Sequence, residues 1–446
     1  RAAVMAQEAG VDAITVSAYH DTSRGKLHSA SNIPHEPGTN LPAAAAIKAA
    51  VSVPVIASGR IEPEVGDERI GAGAMDFLAM GRKLLADPQL PRKLAEGRAA
   101  DILPCVYCYT CVSAIYTCES VRCAVNPRTA FEYLDQPQPA TGRKRFVVIG
   151  GGPGGMESAR RLRLQGHAVT LIERGPRLGG TLQFAALAYE PNERLLRWLR
   201  RQIEAADIDV RLNTIATPEL LRTLQPDAVV VATGAVRGLP PIPGNDLPHV
   251  FSGDDMRRLM LGESSDSLKR KVGLATRLAT RIGAQTGITA NLDFVRRATH
   301  QWMPLGRRIV IIGGELVGLE LAEFLNERGR EVAVVDEAPR FGAGLTVVRR
   351  MRMLDELREH GVGLYPEAQK IRIETGAVRF TDRDGEARAL AADQVIVAKG
   401  ATGDVALAEQ LRAAGFSVFT VGDCNGVGYI EGAMRGAADT VTEMLA

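Results

Sequence analysis

The chain has 446 residues, 46% apolar and 24% charged, with 54 Lys and Arg against 52 Asp and Glu for a net charge of +2. That balance suits a globular protein of about three domains and excludes collagen-like, mucin-like and disordered chains. Near-neutrality argues against a dedicated nucleic-acid or polyanion binder. From the start, helical and strand-like runs alternate: helix over 1–10, strand over 12–17, helix over 41–51, strand over 53–57, helix over 62–71 and strand over 75–80. The pattern is β-α-β-α-β with buried parallel strands. Because Arg1 opens in what reads as mid-helix, the chain is expected to lack its N-terminus.

Ser58-Gly59-Arg60 follows one of these strands and Met80-Gly81-Arg82 the next. Glycine amides and arginines at the C-terminal ends of consecutive parallel strands suit a barrel phosphate site, since guanidinium grips phosphate in two places. Two ordinary surface loops would read the same way.

Five of the six cysteines lie between Cys105 and Cys123, and Cys424 stands alone. This is metal ligation in a reducing compartment rather than a disulfide framework. Cys105, Cys108 and Cys111 form a C-x2-C-x2-C run completed by Cys123, a pattern that caps a cubane iron–sulfur cluster. Four thiolates also suit zinc, although zinc ribbons usually pair two separate knuckles. Cys118 reads as a bystander, and 136–142 reads as a linker.

A strand over 146–149 then runs into Gly150-Gly-Gly152-Pro-Gly-Gly155, with a helix after it. In G-x-G-x-x-G the first glycine makes the turn, the second admits a pyrophosphate and the third packs helix on strand. The anion sits on the helix N-terminus. A second strand ends in Glu173, placed to accept ribose hydroxyl protons. Further strands end in Thr233-Gly234 and Gly422-Asp423.

The same pattern returns about 160 residues later, with a strand over 309–312 and Gly313-Gly-Glu315-Leu-Val-Gly318. Gly313 and Gly318 keep the outer glycines, but Glu315 takes the place of the middle one. A carboxylate about 4–5 Å from a phosphate repels it by roughly 3–4 kcal/mol at an effective dielectric near 20. Asp336, ending the next strand, favours NADH over NADPH. A fold that keeps its shape and binds only an adenine nucleotide is the competing reading. Residues 254–305 are polar, charged and helical, without assignable chemistry. No stretch approaches the roughly 18 uncharged apolar residues of a membrane span, and no signal peptide is present, so a cytoplasmic location is expected.

Gly81-Arg-Lys-Leu-Leu-Ala-Asp-Pro88, the cysteine run ending in Cys123-Ala-Val-Asn-Pro127, and the paired glycine turns, in this order, resemble one family. It is the iron–sulfur flavoprotein branch of the Old Yellow Enzyme family, which includes 2,4-dienoyl-CoA reductase, trimethylamine dehydrogenase and bile-acid enoate reductases. The resemblance implies an α/β chain: the C-terminal part of a (β/α)8 TIM barrel over 1–100 and a 4Fe–4S segment over 101–135. A Rossmann-like FAD domain over 143–250 and 394–446 follows, with a helical connector over 251–305 and an inserted nicotinamide domain over 306–393. It implies that Gly59, Arg60, Gly81 and Arg82 hold the FMN phosphate and that Cys105, Cys108, Cys111 and Cys123 ligate the cluster. Gly150, Gly152, Gly155, Glu173, Thr233, Gly234, Gly422 and Asp423 would line FAD, and Gly313, Gly318 and Asp336 would take NADH or NADPH. A histidine near substrate is implied, with His20 and His35 as rivals for the place.

The activity implied is electron passage from NAD(P)H through FAD, the cluster and FMN to an activated C=C bond in a small molecule such as an enoyl-CoA, dienoyl-CoA or enone. The same parts run backwards would make an amine dehydrogenase or demethylase serving an external acceptor. A non-enzymatic electron-transfer subunit, or a homo-oligomer, also stays open. Only about 100 of the roughly 250 residues of a barrel are present. Glu315 also puts nicotinamide binding in question, a case in which trimethylamine dehydrogenase holds ADP.

Overall fold

The computed structural model describes residues 1–17, 37–134, 142–261, 266–273, 276 and 288–445. His20, His35 and nearly all of the 136–142 linker lie outside these. Two compact units are formed, Arg1–Pro91 and Arg92–Ala446. The cysteine segment falls in the second unit, together with both dinucleotide folds. Among the described residues no helix is long and apolar enough to cross a membrane.

In the first unit the strands Ile14–Val16, Val55–Ser58 and Phe77–Ala79 form a parallel sheet in sequence order. Helices Leu41–Lys48 and Pro63–Gly71 are the crossovers. Val16, Ala44, Val55, Ala57, Ile61 and Met75 form the core. The apolar runs produced short strands because each has only three or four residues to bury between helices.

The second unit holds two five-stranded parallel sheets. One orders its strands as Val418–Thr420, Ala228–Val231, Arg145–Ile149, Ala168–Ile172 and Asp209–Arg211. Its central strands are solid β-branched runs, Val229, Val230 and Val231 being fully buried, as strands covered on both faces require. The other orders Gly363–Tyr365, Glu331–Val335, Arg308–Ile312, Gln394–Val397 and Val250–Ser252.

The domain boundary expected at 394 is corrected here. Gln394–Val397 pairs with Arg308–Ile312 on one side and Val250–Ser252 on the other, so it belongs to the second sheet. Val250–Ser252, at the end of the expected FAD segment, is that sheet's edge. The chain passes between sheets through a two-stranded antiparallel ribbon in which Arg237 pairs with Ala401 and Val236 with Thr402. An antiparallel meander, Gln369–Glu374, Ala377–Thr381 and Ala387–Ala391, covers the second sheet.

Candidate functional site

The first glycine turn is fixed by crowding. A Cβ on Gly150 would lie 2.3 Å from the Ala232 carbonyl oxygen, and one on Gly155 would lie 1.9 Å from the Gly150 oxygen. Only glycine fits at either place. Gly152 is different, because a Cβ there meets nothing within 4 Å. It caps helix Pro153–Leu164, which no described side chain caps. That open cradle at a bare helix N-terminus fits a pyrophosphate. The Glu173 carboxylate accepts the Gly151 N–H at 2.7 Å and the Gly175 N–H at 2.6 Å. Each oxygen keeps a lone pair for a ribose hydroxyl. Thr233, Gly234, Gly422 and Asp423 follow the paired strands Ala228–Val231 and Val418–Thr420, and so reach the same sheet edge. Asp423 Oδ1 accepts the Gly428 N–H at 2.9 Å.

The second turn repeats the arrangement. A Cβ on Gly318 would sit 1.9 Å from the Gly313 oxygen, and Asp336 accepts the Gly314 and Ala338 N–H groups at 2.5 and 3.0 Å. At the place of Gly152 stands Glu315, exposed, at the N-cap of helix Leu316–Asn326. Lys399 lies 3.1 Å from Glu337 and 3.9 Å from Asp336, bringing a cation to an otherwise acidic strand end.

Both turns also carry a lid that sequence reasoning missed. Leu178 lies over Gly151 and Phe341 over Gly314, while the Gly179 and Gly342 N–H groups bond the Gly151 and Gly314 carbonyls, each at 2.7 Å. The signal was available in the second halves of the repeats, Pro176-Arg-Leu-Gly179 and Pro339-Arg-Phe-Gly342.

In the first unit Ser58 is in register with Ala79. The turns bearing Gly59 and Arg60, and Gly81 and Arg82, therefore leave the sheet side by side. Gly59 at φ 113° and Arg60 at φ 51° take left-handed backbone, which is uncommon for arginine and turns this loop sharply at the strand end.

Cys105, Cys108 and Cys111 are half-buried, Cys123 is buried and Cys118 is exposed. Tyr107 at φ 52° and Tyr109 at φ 62° are left-handed at alternate positions of the thiol loop. Bulky residues in that region cost on the order of 1–3 kcal/mol each and persist where a site needs them. Such backbone turns N–H groups into a concavity that receives anions, iron–sulfur clusters included. Cys111 sits in the first turn of helix Thr110–Thr117. Burial pushes the Cys123 thiol up to about 12, and the charges of Cys108 and Cys105 add to the shift. Bound metal would supply the compensation that a thiolate there lacks.

Among the described residues no three His, Cys, Asp or Glu side chains converge on a single-ion site. The loop is also anchored. Tyr189 donates to the Tyr107 carbonyl at 3.2 Å and Thr346 to the Cys108 carbonyl at 3.0 Å. Arg128 reaches Asp439, Ala438 and Thr442 on the C-terminal helix.

Paired dinucleotide folds, a glycine–arginine sheet edge and a left-handed thiol loop are the parts of a nucleotide-binding redox fold. The pyridine nucleotide-disulphide oxidoreductase signature matches residues 116–217 and 144–435, and that of the NADH:flavin oxidoreductase / NADH oxidase family matches residues 1–101. The chain belongs to the pyridine nucleotide-disulphide oxidoreductase family and, with the flavin-oxidoreductase segment ahead of it, to the iron–sulfur flavoprotein branch of the Old Yellow Enzyme family. FMN, FAD, a nicotinamide nucleotide and a 4Fe–4S cluster are the cofactors of that branch.

Bilirubin reductase of Mediterraneibacter gnavus is 32% identical, over 85% of this chain and 53% of its own length. Cinnamate reductase of Clostridium sporogenes is 28% identical, over 87% and 53%. A 2-naphthoyl-CoA reductase in complex with 2-naphthoyl-CoA is 26% identical and matches with a TM-score of 0.82, over 100% of this chain and 62% of that one. The chain thus spans little more than half the length of these relatives.

Proposed function

We propose that this chain works in an NADH-dependent reductase of activated C=C bonds, with enoyl or dienoyl thioesters or conjugated enones as the substrate class. The observation that carries the reading is the left-handed thiol loop, bonded to the first dinucleotide fold through Tyr189 and to the second through Thr346. When bound, the nicotinamide, the two flavins and the cluster supply hydride and single-electron transfer, in the order NADH, FAD, cluster, FMN.

The protein's part is to hold and separate them. Gly150, Gly152 and Gly155 bring backbone to the FAD pyrophosphate, Glu173 orients its ribose, and Thr233, Gly234, Gly422 and Asp423 border it. Gly313, Gly318 and Asp336 do the same for NADH, where Asp336 and Glu337 repel a 2′-phosphate. Gly59, Arg60, Gly81 and Arg82 grip the FMN phosphate, and Cys105, Cys108, Cys111 and Cys123 ligate the cluster. His20 or His35 delivers the closing proton. The names of the relatives support the substrate class, because cinnamate and 2-naphthoyl-CoA both carry unsaturation conjugated to a carboxyl-level carbonyl. The crowding of five cysteines between Cys105 and Cys123, a metal-ligand pattern rather than a disulfide framework, supports a reducing, cytoplasmic setting.

Anaerobic titration of the holoprotein with NADH tests this, the expected result being bleaching of both flavins. One observation favours a second reading: exposed Glu315 stands where the nicotinamide pyrophosphate would pass. If amines bleach the flavins and NADH does not, the chain serves an amine dehydrogenase with an external acceptor.

A further inference from the structure

The helices that follow the two glycine turns match residue for residue, and each buries one carboxylate, Glu157 in the first and Glu320 in the second. Glu157 is neutralised within its own helix, by Arg160 at 2.8 Å and Arg161 at 2.6 Å. In the second helix those two places are taken by Glu323 and Phe324. Glu320 therefore draws its counter-ion from elsewhere: Arg349 Nη2, at 2.8 Å, on helix Val347–Glu359.

That helix is also the one that holds the thiol loop. Thr346, at its N-cap, donates to the Cys108 carbonyl, and the Val348 N–H donates to Ser113 Oγ at 3.2 Å. The Arg349 guanidinium, its side chain 11% exposed, lies 3.7 Å from the ring centre of Tyr189, whose hydroxyl holds the Tyr107 carbonyl. Burial alone would lower the Arg349 pKa. The Glu320 carboxylate opposes that and raises it, with Tyr189, Glu323 and Cys108 adding in the same direction, while burial pushes the Glu320 carboxyl itself up against the pull of Arg349. The guanidinium thus sits three residues along the chain from the hydroxyl that bonds the Cys108 carbonyl, and it is poorly screened by water.

We propose that Arg349 is a positioning residue for the iron–sulfur cluster, a fixed charge beside Cys108 that raises the cluster's reduction potential while Glu320 limits the rise. Reduction adds one electron to the cluster. A nearby cation favours the reduced form and a nearby anion opposes it, most strongly where the surroundings are dry. One ion pair thereby joins the helix of the nicotinamide turn to the thiol loop. The proposal rests on the reading of Cys105, Cys108, Cys111 and Cys123 as cluster ligands.

The test is an EPR-monitored redox titration of the anaerobically purified holoprotein, alongside iron and acid-labile sulfide content. Arg349→Gln is expected to lower the midpoint potential, Glu320→Gln to raise it, and Arg349→Lys to stay near the parent value, with iron and sulfide unchanged in all three. A merely structural pair would not give shifts of opposite sign. Unchanged potentials, or shifts in the same direction with the cluster retained, overturn the proposal. If Arg349→Gln loses its cluster, Glu320→Gln and Arg349→Lys decide alone: a raised and a retained potential support the proposal, and any other pair of results overturns it. A parent protein without iron and sulfide overturns the ligand reading itself, and this inference falls with it.

Discussion

In the first glycine turn a Cβ on Gly152 would meet open space, whereas at the matching place in the second turn the Glu315 side chain stands exposed. Around that one position nearly everything repeats: the 1.9 Å conflicts that forbid a side chain at Gly155 and Gly318, the acidic residues tying down Gly151 and Gly314, and the apolar lids. The outer glycines therefore serve the fold, because Gly155 and Gly318 face backbone of their own turn while Gly150 and Gly313 face backbone just past the neighbouring strand. The middle position is free of that constraint, because a Cβ on Gly152 would meet nothing within 4 Å. A side chain can then change there without disturbing the fold, and Glu315 in the second turn is such a change.

The largest expected effect lies in the shared framework. Gly155→Val and Gly318→Val each force a Cβ into a carbonyl oxygen that cannot retreat, at a cost of about 3 kcal/mol or more. Urea denaturation should show similar losses for both, and a variant with the parent's midpoint would break the equivalence of the two turns. Gly152→Glu should copy the second turn into the first. By the roughly 3–4 kcal/mol charge repulsion, FAD retention should fall on the order of 100-fold or more while apoprotein stability holds. Flavin fluorescence on dilution reads this directly.

The reverse change, Glu315→Gly, should tighten NADH binding by about 10-fold in calorimetry, less than the mirror loss because the exposed carboxylate is screened by salt. The smallest effect concerns Glu323, whose counterpart in the first helix is Arg160. Burial pushes the Glu323 carboxyl from 4.5 up to about 7, Arg349 opposing and Glu327, Glu356 and Glu320 adding. The folded protein then binds this proton more tightly than the unfolded chain does. The group's contribution is complete below about pH 4.5 and is lost as pH rises through about 7. Glu323→Gln should flatten that slope by about 1–2 kcal/mol in denaturation midpoints, allowing for partial solvent screening.

The central strands were legible in sequence because strands buried on both faces need unbroken apolar runs rich in β-branched residues, as over 146–149, 229–231 and 309–312. Their glycine turns were legible because the packing there leaves glycine no substitute. Residues 394–397 lie in the segment that the resemblance gives to the FAD domain, yet they pair within the second sheet. Parallel pairing joins residues nearly ninety positions apart, and nothing local marks the partner. The meander over 369–391 escaped for a different reason: its outer strand Ala387–Ala391 is largely exposed and carries weak alternation. The tie between Arg349 and Glu320 leaves no periodic trace at all. It becomes visible only once the two aligned helices show Glu323 and Phe324 in the places of Arg160 and Arg161.

The ribbon between the two sheets has a practical meaning. Arg237 and Ala401 face each other as antiparallel partners, so the chain departs from the first sheet and returns to it through a single doorway. Everything from 238 to 400 is a cassette whose two ends touch. A two-residue hairpin turn joining those partners would close the first sheet without stretching either strand. A lineage carrying this layout can gain, lose or exchange its second dinucleotide fold in one genetic event, leaving the first sheet intact.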